Sequence, residues 1–136
     1  MRKPTLFLGG STDYRNYYNW RKDYLEQIDN IDLFDPYVKN WNDEARKNED
    51  FHRENDDYLL FTISGANIFS IAELIDCSNK RHLSTIAVFD YDSIKQAGLR
   101  VNSFKAVEKM VVLNGAKAFT SHEDCIAYLK SIKEIA

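Results

Sequence analysis

Tyr58-Leu59-Leu60-Phe61-Thr62-Ile63 is the stretch on which the fold turns. It is apolar at nearly every position and shows no period-two alternation. Such a run predicts a strand covered on both faces, at the centre of a parallel sheet. Ser64-Gly65-Ala66-Asn67 breaks the run. Ile71, Leu74, Ile75 and Ser78 then fall on one helical stripe, predicting a helix from about Ser70 to Lys80.

The same strand–loop–helix unit recurs on either side. Thr5-Leu6-Phe7-Leu8, stopped by Gly9-Gly10, reads as a buried first strand. Trp20, Tyr24, Leu25 and Ile28 form a stripe that predicts a helix from Tyr17 to about Asp29. Ile31-Asp32-Leu33-Phe34 reads as a second strand, and the charged stretch from Asn42 to Asn55 as a polar, mostly exposed helix. Downstream, Thr85-Ile86-Ala87-Val88-Phe89 is a fourth strand and Ser103 to Leu113 a helix closed by Asn114-Gly115. Ala116 to Phe119 forms a short fifth strand, and Ser121 opens a last helix with Cys125, Ile126, Leu129 and Ile132 inward. Five strands alternating with five helices predict a three-layer, doubly wound α/β fold with a parallel sheet. The flavodoxin-like order 2-1-3-4-5 suits five strands, and residues 1–136 read as one domain. In that order the chain reverses direction between the first and third strands. Ligands bind outside the strand C-termini at such a switch point, so the loops Gly9 to Asp13 and Ser64 to Ser70 should converge there.

The bulk numbers set bounds. The chain has 136 residues, a net charge of −3 and a pI near 5.6, which argues against polymeric nucleic acid as a partner. A single nucleotide remains compatible with that charge. Cys77 and Cys125 lie far apart in no metal or redox spacing and read as reduced thiols. Only Leu6-Phe7-Leu8 follows the basic start before two glycines, so neither a signal peptide nor a membrane span is expected; the expected compartment is the cytoplasm.

Gly9-Gly10-Ser11-Thr12 after a strand matches a loop that could cradle a phosphate or sugar, because glycines let backbone N–H groups approach an anion. A plain tight turn explains it equally well, since neither GxGxxG nor the P-loop pattern is present. Ser70-Ile71-Ala72-Glu73 has the spacing of a capping box, in which Glu73 reaches back to the Ser70 N–H. Local spacing favours that structural role for Glu73. Asp13, Asp35, Asp90 and Asp92 fall at predicted strand ends and read as turn or cap residues. His52 and His82 sit among charges without ligand spacing and His122 reads as a surface residue, so no metal site is expected.

Thr5 to Gly10, Asp57 to Phe61 and Ser70 to Leu74, in this order and spacing, resemble the nucleoside 2-deoxyribosyltransferase family and its nucleotide N-glycosidase relatives. The likeness extends to about Asp92. It implies that Glu73 is a nucleophile attacking the anomeric carbon of a nucleoside or nucleoside monophosphate, without a cofactor. It also implies that Gly9, Gly10, Ser11, Asp13 and Ser70 line the substrate site, and that Glu49 or Asp50 is an acid near the base. Phe7 stands where the transferases commonly carry a Tyr that orients the nucleophile, and Asn67 where an acid often contacts the base. Those transferases complete one another's sites in homo-oligomers with a C-terminal tail, whereas Lys130 to Ala136 reads as a helix end. Two alternatives stand beside this expectation: a catalytically silent nucleotide-binding or protein-interaction module, and an NAD-type glycohydrolase.

Overall fold

Strand parity divides the apolar residues between two faces of one sheet. Leu6, Leu8, Leu60, Ile86 and Val88 point one way, into a cluster with Trp20, Tyr24, Cys125, Ile126 and Leu129. Phe7, Leu59, Phe61, Ile63, Ala87 and Phe89 point the other way, against Leu74, Cys77, Phe104 and Val111. Two buried faces require helices on both sides, which is why the central strands read as continuous apolar runs. The structure, a computed structural model, describes residues 1–11 and 19–136.

The elements are β1 (Thr5–Gly10), α1 (Trp20–Gln27), β2 (Asp32–Phe34), α2 (Asp43–Asn55), β3 (Tyr58–Ile63), α3 (Ile68–Lys80), β4 (Thr85–Phe89), α4 (Tyr91–Gln96), α5 (Val101–Leu113), β5 (Lys117–Phe119) and α6 (His122–Lys130). All four strand pairings are parallel, in the order β2-β1-β3-β4-β5. This is the expected flavodoxin-like α/β architecture. α1 and α6 cover the Leu6 face, and α3 and α5 cover the Phe7 face. β1 is the switch point: β2 lies on one side of it and β3 on the other.

At the opposite, N-terminal end of the strands, Asp57 clamps β1 to β3. Its Oδ2 accepts from the Thr5 N–H at 2.8 Å and from Arg2 Nη1 at 2.7 Å, while Oδ1 accepts from Arg2 Nη2 at 2.9 Å. Arg2 and the Thr5 donors hold the Asp57 carboxyl down at about 2. The acid that opens the third-strand signature is therefore a strand clamp, far along β3 from the C-terminal strand ends.

Several boundaries differ from the sequence expectation. β1 runs on through Gly9 and Gly10, which pair with Phe61 and Thr62. The start expected for the first helix, Tyr17, lies outside the described residues; Leu25 in that helix is 47% exposed and does not belong to the buried stripe. An unanticipated helix, α4, follows β4: Asp90 caps it by accepting from the Ser93 N–H at 3.1 Å, and Gly98 at φ +73° ends it. Downstream of α6 the chain is not helical to its last residues, because Ile135 pairs antiparallel with Arg2.

α2 is unlike the other helices, since none of its residues is buried. Its ends explain why it forms at all. Asn42 caps it by accepting from the Ala45 N–H at 2.8 Å, Asp43 and Glu44 occupy the first turn, and His52 and Arg53 occupy the last. The Asp43 and Glu44 carboxylates and the Arg53 guanidinium complement the helix dipole. Phe51 stays 59% exposed, and among the described residues the aromatic contact from this helix to the sheet is His52, stacked 3.7 Å from Phe34.

Candidate active site

The glycines of the first loop serve close packing. Gly10 has φ +101°, and a Cβ there would run into the Thr62 backbone. A Cβ on Gly9 would press on the Phe7 and Phe61 rings. The Ser11 N–H donates to Thr62 O at 2.9 Å and Ser11 O accepts from Trp20 Nε1 at 2.9 Å. The Ser11 amide is thus occupied by the sheet and is not an open anion donor, so the tight-turn reading accounts for it. Asp13 lies outside the described residues.

Arg21, which no motif singled out, reaches the same loop. Its side chain is fully buried on α1, with Nε donating to Leu8 O at 2.9 Å and Nη2 to Gly10 O at 3.4 Å. The guanidinium lies 4.5 Å from the Trp20 ring centroid and 3.6 Å from Asp35 Oδ1. A signal was present: Arg21, Tyr24 and Ile28 share one helical stripe, and a cation on an apolar stripe needs buried acceptors.

Glu73 does not cap α3. Asn67 does, accepting from the Ser70 N–H at 3.2 Å, so the helix starts at Ile68, and Glu73 lies a turn deeper than a capping box requires. The capping-box expectation is therefore overturned. The Glu73 carboxylate turns instead to α2, where Oε2 accepts from Arg53 Nη1 at 2.7 Å. Arg53 Nη2 donates in turn to Asp50 Oδ1 at 2.7 Å. Among the described residues Glu73 Oε1 accepts no hydrogen bond. The Glu73 side chain keeps 10% exposure. Burial pushes its pKa up, Arg53 pulls it down, and the neighbouring Glu49 and Asp50 charges push it up again.

Glu49, half-buried on the same helix, has its pKa raised chiefly by burial, and it feels the cations of Arg53 and Arg21. It makes no hydrogen bond or ion pair among the described residues. Arg21, Glu49, Arg53 and Glu73 thus form a run of alternating charge from the β1 loop across α2 to α3. Asp50 is the more exposed acid and is engaged by Arg53. α3 touches β1 as well as β3 and β4, so the topology carries the Glu73 helix to the switch point.

The remaining expected residues have structural places. Phe7 is 1% exposed, with its ring stacked on Phe34 and edge-on to Phe61, so it is a core residue. Asn67 is spent as the α3 cap, and Ser70 is buried in the first turn. His122 is not the surface residue expected: it stacks on Trp20 and its Nδ1 lies 2.6 Å from the Tyr24 hydroxyl, with burial holding its pKa down. Two hollows of about 660 and 440 Å³ open near the ends of β4 and β5, sharing Asp90, Asp92 and Thr120. Among the described residues no cluster of His, Cys, Asp and Glu is arranged to hold a metal.

The fold and this charge cluster define a flavodoxin-like α/β protein with a candidate site of mixed charge between α2 and α3. No protein-family model and no curated protein matches the chain. No helix among the described residues is long and apolar enough to cross a membrane.

Proposed function

We propose that the protein cleaves or transfers at the N-glycosidic bond of a (deoxy)nucleoside or nucleoside monophosphate, with Glu73 as nucleophile. The supporting observation is the pairing of two differently placed carboxyls. Glu73 is anchored through one oxygen by Arg53, and Glu49 is a partly buried acid without an ion pair whose pKa burial raises. Two carboxyls in unlike environments are what a retaining glycosidic mechanism uses.

In the first step Glu73 Oε1 attacks the anomeric carbon. The C1′–N bond breaks, its electron pair leaves with the base, and the Glu49 carboxyl gives the base a proton. The product is a glycosyl ester of Glu73. In the second step Glu49, now ionised, takes a proton from water or from an acceptor base. That nucleophile attacks C1′, the ester C–O bond breaks, and Glu73 is regenerated with net retention.

Incubation with the four common 2′-deoxynucleosides and their 5′-monophosphates should release free base, read by chromatography. Glu73→Gln should abolish the release, and intact mass of the wild type after a substrate pulse should show one sugar adduct. Folded wild-type protein that leaves the whole panel intact would sink the enzyme reading. A second reading, a silent nucleotide-binding module, draws on Asn67 being spent as the α3 cap and on Phe7 being a core residue with no hydroxyl to orient Glu73. Its signature is a rise in Tm with a nucleotide and no turnover.

A further inference from the structure

We propose that Arg53 is the positioning residue of this site: it holds Glu73 Oε2 and thereby presents Oε1 as the attacking oxygen. The inference rests on the glycosyl-transfer reading above and deepens it. Arg53 reaches Glu73 from a different element, 20 residues earlier, through Nη1 at 2.7 Å. Its other terminal nitrogen is held by Asp50 Oδ1 at 2.7 Å, three residues back on α2. The backbone is fixed as well, because Arg81 Nη1 donates to Arg53 O at 3.1 Å. A guanidinium tied at one fork and along its backbone has one fork left, and that fork fixes the rotation of the carboxylate.

The pair does more than join helices. A carboxylate gripped at one oxygen keeps the lone pairs of the other for attack, and it loses little freedom in reaching the transition state. Glu73 also needs to be ionised despite its burial. The charged groups that face it are Arg53, Glu49 and Asp50 on α2, and Arg53 alone favours the anion. Removing Arg53 therefore raises the Glu73 pKa as well as freeing the side chain to rotate.

The test compares wild type, Arg53→Lys and Arg53→Met on the same deoxynucleoside and deoxynucleotide panel, alongside a ¹³C-carboxyl NMR titration of Glu73. Arg53→Met should lower kcat about a hundredfold with KM changed less than about threefold, the scale set by misplacing a reacting group. The Glu73 midpoint should move up in the same variant. Arg53→Lys, which keeps the charge but not the fork, should recover part of both effects. Arg53→Met with full kcat overturns the proposal. So does a variant that loses activity while its Glu73 midpoint stays put, since that marks a purely structural contact. Release of no base by the wild type defeats the nucleophile reading and this inference with it, whereas an active wild type with either of the first two results defeats this inference alone.

Discussion

Glu49 combines half-burial with the absence of an ion-pair partner among the described residues, and that combination carries a cost to stability. Burial raises its folded pKa above the ordinary value of 4.5. A raised carboxyl binds its proton more tightly folded than unfolded, so stability falls as pH climbs from about 4.5 through the folded pKa. Glu49→Gln removes that penalty. The variant should melt at the same temperature as wild type below about pH 4, and at a progressively higher one toward neutrality, as measured by Tm against pH. If Glu49 is the proton donor, the same variant should lose most base release. Gain of stability with loss of turnover is the mark of a group kept for chemistry.

At the level of elements, the strands were legible and one helix start was not. β3 and β4 match their expected limits because continuous apolar runs have sharp edges in the sequence. α3 starts at Ile68, two residues before the expected Ser70, because Asn67 and Ser70 are both good caps and the S-x-x-E spacing favours the second. The Ser70 spacing supports only the local capping-box role for Glu73, whereas its nucleophile role rests on the family resemblance. α4 was missed because Asp90 to Ser93 reads as a turn, although Asp90 and Gly98 bracket it with ordinary cap residues. The Arg53–Glu73 contact had no local signature at all, since it joins two helices across a crossover. The clamp between β1 and β3 belongs to this scale too. Asp57 titrates at about 2 when folded against an ordinary 3.8, so its contribution is complete above about pH 4 and disappears as pH falls through about 2. Asp57→Asn should cost about 1 kcal/mol in urea unfolding at pH 7, allowing for the exposure of Arg2. The gap should close near pH 2.

Across the whole molecule, two kinds of bonding are unevenly distributed. The five strands, α1, α3, α5 and α6 meet through buried apolar side chains. α2, the helix that supplies Glu49, Asp50 and Arg53, buries no residue and is tied down by Arg53, Arg81 and the His52 stack. Added salt acts on these two populations in opposite directions. Screening shortens from about 10 Å at 0.1 M to about 3 Å at 1 M and weakens the exposed Asp50 end of the Arg53 contacts more than the deeper Glu73 end. Apolar burial is untouched, or strengthened by sulfate. A sodium sulfate titration should therefore depress base release while Tm holds or rises, and a Tm that falls in step with activity would contradict this division. The protein would then be an enzyme whose working shape is more sensitive to ionic strength than its fold, with α2 as the part that feels it.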